Sequence, residues 1–326
     1  MEKEFRELCK ARGLNDKAIG DAVVAVREFE QHLNDRGSSM DSATVEDLKQ
    51  YISLLMSQGR NSRERLLALA RYSYLAKMND MYIYFTSILG GRDVLANLSA
   101  RMSSIAGEKL ARDILSNIEA PPLGSPPESF PPVTQRLMES LEAKLSPEMC
   151  RQVLAGNMHG IPREAFNEHR ELFKKASTID EFLTEWHRKS VAELENLLAE
   201  GRLFYEQKIT PRVVEFVKQN QEVLGGVRQG NNIYLTKIPY APDDYLDESD
   251  PKMKRYYACH CPWARASILE GESNISSTWC YCSGGYQKLI FDVVFDEPVE
   301  VELLESALAG DSRCRFAVRI PDGKFK

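Results

Sequence analysis

A chain of 326 residues that is 43% apolar and 28% charged is ordinary for a soluble globular protein of two or three domains, able to bury a sizeable core. No apolar run approaches the roughly 18 residues needed to cross a bilayer, and a formal charge of −6 argues against a chain-wide electrostatic footprint for nucleic acid. The opening residues, Met1-Glu2-Lys3-Glu4-Phe5, are charged where a signal peptide would be apolar. A cytoplasmic location is therefore expected, with thiols kept reduced.

Residues 1–118 read as helices. Phe5, Leu8 and Cys9, then Ile19, Val23, Val26, Phe29 and Leu33, recur at helical spacing. Ser42 or Thr44 ahead of Glu46-Asp47 is a capping signal for a helix carrying Leu48, Ile52 and Leu55. Gly59 ends that helix, and Ser62 begins another with Leu66, Leu69, Tyr72, Leu75 and Met78 on one face. Residues 1–120 hold 17 acidic and 17 basic side chains. The local basic set Arg60, Arg63, Arg65 and Arg71 is thus expected as a solvated face or as helix ion pairs, and DNA is not an expected partner.

Residues 119–133 contain six prolines and are predicted to be a stiff spacer marking a domain boundary. Over 134–326, helices return around Leu137, Leu141 and Leu145 and after Pro147. A loop at Gly156–Pro162 follows, then helices over 164–176, 179–187 and 191–205. His159, His169 and His187 lack the i, i+4 spacing of a metal-binding helix, which predicts solvent or cap roles. Ile233, Leu235 and Ile238 suggest a strand after the Gly230-Asn231-Asn232 turn, and 243–251 reads as an acidic loop. Leu289–Phe295 is a helix end or a buried strand. Val299, Val301 and Leu303 alternate with Glu300 and Glu302 as a half-buried strand, and Phe316, Val318 and Ile320 return as its hairpin partner. The expected class is α+β: an all-helical N-terminal domain plus a C-terminal mixed domain of helices and a small antiparallel sheet.

Five of the seven cysteines lie between Cys259 and Cys314. Cys259, Cys261, Cys280, Cys282 and Cys314 are candidate metal ligands. Zinc is the expected cofactor, since it takes four thiolate or imidazole ligands tetrahedrally at about 2.0–2.3 Å. Inert buried thiols, and redox or disulfide chemistry, stay open. Tyr256, Tyr257, Trp263, Trp279, Tyr281 and Tyr286 crowd the same segment, as a core or as the wall of a pocket for a planar ligand. On the second reading Trp263, Trp279, Tyr281 and Tyr286 bind the ligand. An enzyme could use Cys280 or Cys282 as a thiolate beside His260, with Asp292 or Glu305 orienting the base. No Gly-x-Ser-x-Gly elbow, phosphate loop or dinucleotide fingerprint occurs.

From Trp279 to Ile320, Cys280, the pair Gly285-Tyr286 and the run Gly310-Asp311-Ser312-Arg313-Cys314-Arg315 stand in an order that resembles the vinyl-reductase-like ligand-binding domain of bacterial aromatic-compound sensors. The resemblance implies a zinc held at the positions of Cys280 and Cys314 and by a Glu and a Cys between them. Those two positions fall on Leu303 and Ser306 here, and Cys259, Cys261 and Cys282 are extra thiols that could replace the pair. With Cys-Pro-Trp-Ala upstream, the tail also resembles the aminothiazoline-carboxylate hydrolase-like family. The helical rhythm from Val26 to Leu89 is similar to the SAM-like core-binding domain of integrases, though no recombinase His-x-x-Arg triad and tyrosine follow. Together these imply a small-molecule-binding or sensory protein with a zinc-holding C-terminal domain. Two alternatives stand beside it, a metal- or thiol-dependent hydrolase and a DNA-associated regulator. The expected partner is a small aromatic or apolar molecule, and oligomerisation is left open.

Overall fold

The computed structural model describes residues 1–91, 93–270 and 274–324. Its contacts divide the chain into two compact units: Met1–Gly90 with Pro121–Pro126, and Gly91–Ala120 with Pro127–Lys326. The class is α+β.

The first unit consists of helices α1 (Glu2–Ala11), α2 (Asp16–Asn34), α3 (Val45–Ser57), α4 (Arg63–Leu75) and α5 (Asn79–Leu89). Side chains satisfy the free amides at three helix starts. Asn15 accepts from Ala18 N and Ser62 from Arg65 N, while Thr44 and Asp47 form a reciprocal capping box. Phe5, Phe29, Leu33, Leu48, Ile52, Leu66 and Phe85 close the core. The helix expected to run to Met78 stops at Leu75, because Lys77 turns left-handed at φ +56° and the chain restarts as α5. Arg60 and Arg65 both pair with Glu28, so these two cations sit in ion pairs between helices. Part of the proline-rich stretch packs here: Asn61 Nδ2 donates to Leu123 O at 2.6 Å, and a Cβ on Gly124 would come within 2.8 Å of Ile52.

The second unit opens with α6 (Val94–Ala106) and α7 (Glu108–Leu115), then α8 (Pro131–Lys144), α9 (Pro147–Leu154), α10 (Asn167–Lys175), α11 (Ile179–Glu200) and α12 (Pro211–Gln219). The two helices expected over 179–187 and 191–205 are one, α11, which runs unbroken to the left-handed Gly201. Strands β1 (Val227–Gln229) and β2 (Asn232–Thr236) follow. The expected acidic loop is instead two short helices, α13 (Pro242–Asp247) and α14 (Pro251–Ala258). Each has proline in its first turn; two aspartates follow Pro242, and the Asp250 side chain caps α14. After α15 (Tyr281–Val294), β3 (Val301–Glu305) and β4 (Arg315–Arg319) complete a four-stranded antiparallel sheet in the order β1-β2-β4-β3.

Central β4 aligns Val318 with Ile233 and Val301, and Phe316 with Leu235 and Leu303. Helix α15 crosses this sheet on two glycines. Gly284 meets Phe316 and Val301, and Gly285 lies against the backbone of Ala155 and Gly156 just after α9. Among the described residues no helix is long and apolar enough to cross a membrane.

Candidate functional site

Segments from across the second unit meet at the N-terminal end of α15. The chain leaves β2 at Lys237, whose backbone N–H donates to Cys314 O at 3.0 Å. Helix α14 ends into Cys259-His260-Cys261, and α15 starts with Cys280, Cys282 and Ser283 in its first turns. Tyr205, held left-handed at φ +52°, turns the chain after α11 into Glu206. The loop after α9 contributes His159.

Lys237 is the hub. Its ammonium donates to Ser283 Oγ at 3.1 Å and stands 5.8 Å from the centre of the Tyr286 ring. Its charge acts on His159, Glu206, His260, Cys261, Cys282 and Cys314, and His159 packs edge-on to the same Tyr286 ring at 6.2 Å. His260 sits between the Glu206 carboxylate (Nδ1–Oε1 3.2 Å) and the Ile238 carbonyl (Nε2–O 2.5 Å), which fixes its ring plane. Burial first, and Lys237 second, lower the His260 pKa and favour the neutral imidazole. Burial alone would raise Glu206, but the hydrogen bond with His260 and the charge of Lys237 hold it below its usual value. A cleft of about 300 Å³ opens on Lys237, lined also by Phe216, Val223, Thr236, Pro239 and Tyr245.

The thiols gather beside this hub. Were they ionised, Cys280 would be opposed by Cys314, Cys259 and Cys261, Cys259 by Cys261 and Cys314, and Cys282 by Cys261. Burial raises all five thiols, Cys259 to about 12, and keeps them protonated at neutral pH. Trp279 Nε1 donates to Cys261 Sγ at 3.2 Å, and backbone amides of Trp263 and Ala264 also favour that sulfur's anionic form. All seven cysteines are free. Among the described residues no three His, Cys, Asp or Glu side chains converge closely enough to hold a metal ion. The donor set therefore has the chemistry of a zinc site without the convergence of one.

The other expected site residues are dispersed. Trp263 and Trp279 are core residues, each 1% exposed, with ring centres 6.3 Å apart; Trp263 Nε1 donates to Gly91 O. Tyr281 packs against the same core, and Tyr286 alone of the four aromatics reaches the lysine hub. His260 is not the partner of a thiol. The imidazole nearest Cys282 belongs to His159, with Sγ–Nε2 at 3.9 Å. Asp292 is engaged by Lys288 and by Val299 N, and Glu305 by Arg313. His187 bonds Val217 O, and His169 lies between the rings of Phe166 and Trp186.

Residues 245–324 match a family model described as a family of unknown function, DUF6144. The matched stretch contains all five clustered thiols and leaves out Lys237, Glu206 and His159. No curated protein and no solved structure matches the chain.

Proposed function

We propose that the second unit is a small-molecule-binding module of sensory type. Its ligand occupies the region around Lys237, Tyr286, Glu206 and His260, beside a cluster of five thiols that must draw closer together to hold zinc. The observation that carries this reading is the set of contacts by which polar side chains from separate segments meet near Lys237: Ser283 and Tyr286 on its ammonium, His159 against Tyr286, and His260 between Glu206 and the Ile238 carbonyl, beside a cleft. Each buried ionisable side chain costs stability unless it is paired or hydrogen-bonded, and clusters of them in a cleft are candidates for function. The cleft's volume is at the lower end for small-molecule sites. The resemblance of the Trp279–Ile320 tail to vinyl-reductase-like ligand-binding domains points the same way. Zinc would supply the charge that lets Cys259, Cys261, Cys280 and Cys314 act as thiolates, with Cys282 in reserve.

The test is a thermal-shift screen of the full chain against small aromatic and apolar compounds, with native mass spectrometry for anything that copurifies. Saturable stabilisation that disappears in Lys237→Met supports the reading. A screen without hits, together with protein that carries no copurified compound, sinks it.

A second reading, a thiol hydrolase, is favoured by one contact. Cys282 lies in the first turn of α15, where the helix dipole favours an anion, 3.9 Å from His159 Nε2. That reading expects iodoacetamide to alkylate Cys282 faster than the other thiols, and to do so only while His159 is present.

A further inference from the structure

Linked to His260 through the Tyr240 ring lies a buried cation without a carboxylate partner. Arg265 is 7% exposed in the 3-10 turn Arg265–Ile268 that follows the Cys259–Trp263 segment. Its guanidinium carbon stands 3.6 Å from the centre of the Tyr240 ring and 5.2 Å from that of Tyr256. Among the described residues no carboxylate pairs with it, and Nη1 and the Tyr240 hydroxyl each lack a partner of good hydrogen-bond geometry, although the hydroxyl stands near enough to act on the guanidinium. The side-chain nitrogen of Gln207, next in the chain to Glu206, is likewise orphaned. The other three orphaned buried atoms belong to His32, Tyr51 and His169, all neutral groups.

A guanidinium does not shed its proton, so burial cannot neutralise Arg265 as it does a histidine. The tyrosine faces offset part of the desolvation through cation–π contact, but they accept no hydrogen bond from Nη1. The surroundings add to the surplus. Tyr240 packs edge-on to His260 at 5.7 Å, and Lys237 acts on that same imidazole while Glu206 is the one carboxylate that does. Two cations and one anion thus share a half-buried region with unpaired donors. An anion from outside the chain completes that arrangement.

We propose that Arg265 and the Tyr240 hydroxyl together receive the oxyanion of the bound molecule, a carboxylate or a phosphate, so that the module's ligand is a small organic anion. This rests on the ligand-binding reading above and names the chemistry of that ligand. The planar guanidinium fork takes an oxyanion through two parallel N–H···O bonds, and the phenol donates a third. Tyr240 and Tyr256, whose rings lie against the guanidinium, are both half-buried.

The experiment is calorimetric titration of the full chain with sodium benzoate, with neutral benzamide of the same shape and with inorganic phosphate. It is repeated in Arg265→Lys and Tyr240→Phe after their folds are checked by circular dichroism. Saturable binding of benzoate assigns a carboxylate, and binding of phosphate alone assigns a phosphate. Either is expected to weaken about tenfold or more in Arg265→Lys, which keeps the charge and loses the fork, and by a smaller factor in Tyr240→Phe. If Arg265→Lys does not fold, Tyr240→Phe carries the test. Anion affinity unchanged in the variants overturns the anchor. So does a screen in which only neutral compounds bind, in a Lys237-dependent way, and that result leaves the ligand-binding reading standing. Absence of any binding sinks both.

Discussion

The two units bury different things. Within Met1–Gly90 the buried polar side chains are Ser73 and Ser87, each hydroxyl returning to a carbonyl of its own helix, and the charges pair at the surface, as Glu28 does with Arg60. In the second unit Gln207, Arg265 and Asp292 are buried along with Cys150, Cys259, Cys282 and Cys314. Asp292 is explained by architecture, since Lys288 and Val299 N satisfy it. Arg265 has no such account, since Nη1 is left without a partner. The orphaned buried atoms of the first unit, on His32 and Tyr51, belong to neutral groups, whereas that of Arg265 in the second belongs to a cation.

Metal gives the sharpest way to break this contrast. Structural zinc–thiolate binding is on the order of 10–16 kcal/mol and is folding free energy. Elemental analysis should find one zinc per chain, lost in Cys280→Ser and in Cys314→Ser. The three tryptophans, Trp186, Trp263 and Trp279, all lie in the second unit, so their fluorescence reports on it alone. Chelation should unfold that signal while the helical circular dichroism of the first unit persists. Metal-free protein that stays folded, with five titratable thiols in 259–314, would leave these cysteines as inert buried groups.

A smaller effect tests how α15 is seated beneath the site. A Cβ on Gly285 would stand 2.3 Å from Gly156 O and 2.7 Å from Ala155 C, which are backbone atoms and cannot swing aside. Gly285→Ala should therefore cost about 1–3 kcal/mol by overpacking. A Cβ on Gly284 meets Phe316 and Val301 at 3.4 Å, ordinary contact, so Gly284→Ala should cost less. Tryptophan-detected urea melts of both variants read the difference, and the reverse order would mean that α15 sits elsewhere.

The features legible in the sequence were those with a local physical cause. The Thr44-Val45-Glu46-Asp47 cap, the alternation through Val301 and Leu303, and the return at Phe316 and Val318 each announce themselves within a few residues. The clustering of five cysteines was equally plain. Lys237, Glu206, Tyr240 and Arg265 carried no such mark, because each is a single polar residue whose meaning depends on segments far away in the chain. His260 next to the cysteines suggested a thiol partner, yet Glu206, 54 positions earlier, is what binds it. The run 243–251 looked like an acidic loop, although proline in a first turn with an aspartate before or after it, as at Pro242 and Pro251, is also a helix start. The proline-rich stretch suggested an exposed spacer; Leu123, whose carbonyl Asn61 binds, is the apolar residue in its first half that packs with the first unit's core.

The smallest effect probes the first unit on its own terms. Thr44 accepts from Asp47 N while Asp47 Oδ2 accepts from Thr44 N at 2.9 Å and from its hydroxyl at 2.7 Å. Removing a cap of this kind costs about 1 kcal/mol, so Thr44→Ala should lower the denaturation midpoint of the first unit by that much. The loss should also depend on pH. The backbone hydrogen bond from Thr44, and then its hydroxyl, lower the Asp47 pKa below its ordinary 3.8. A carboxylate depressed in the folded state contributes stability that is present above the unfolded value and is lost as pH falls through the folded one. Thr44→Ala keeps the backbone N–H and loses only the hydroxyl, so the hydroxyl's share of the gap should be present above pH 3.8 and be lost as pH falls below it. Because the cap serves only local folding, the variant should keep its zinc content and ligand binding unchanged. A Thr44→Ala protein that lost either would mean the first unit takes part in the site, and the division of labour drawn between the two units would fall.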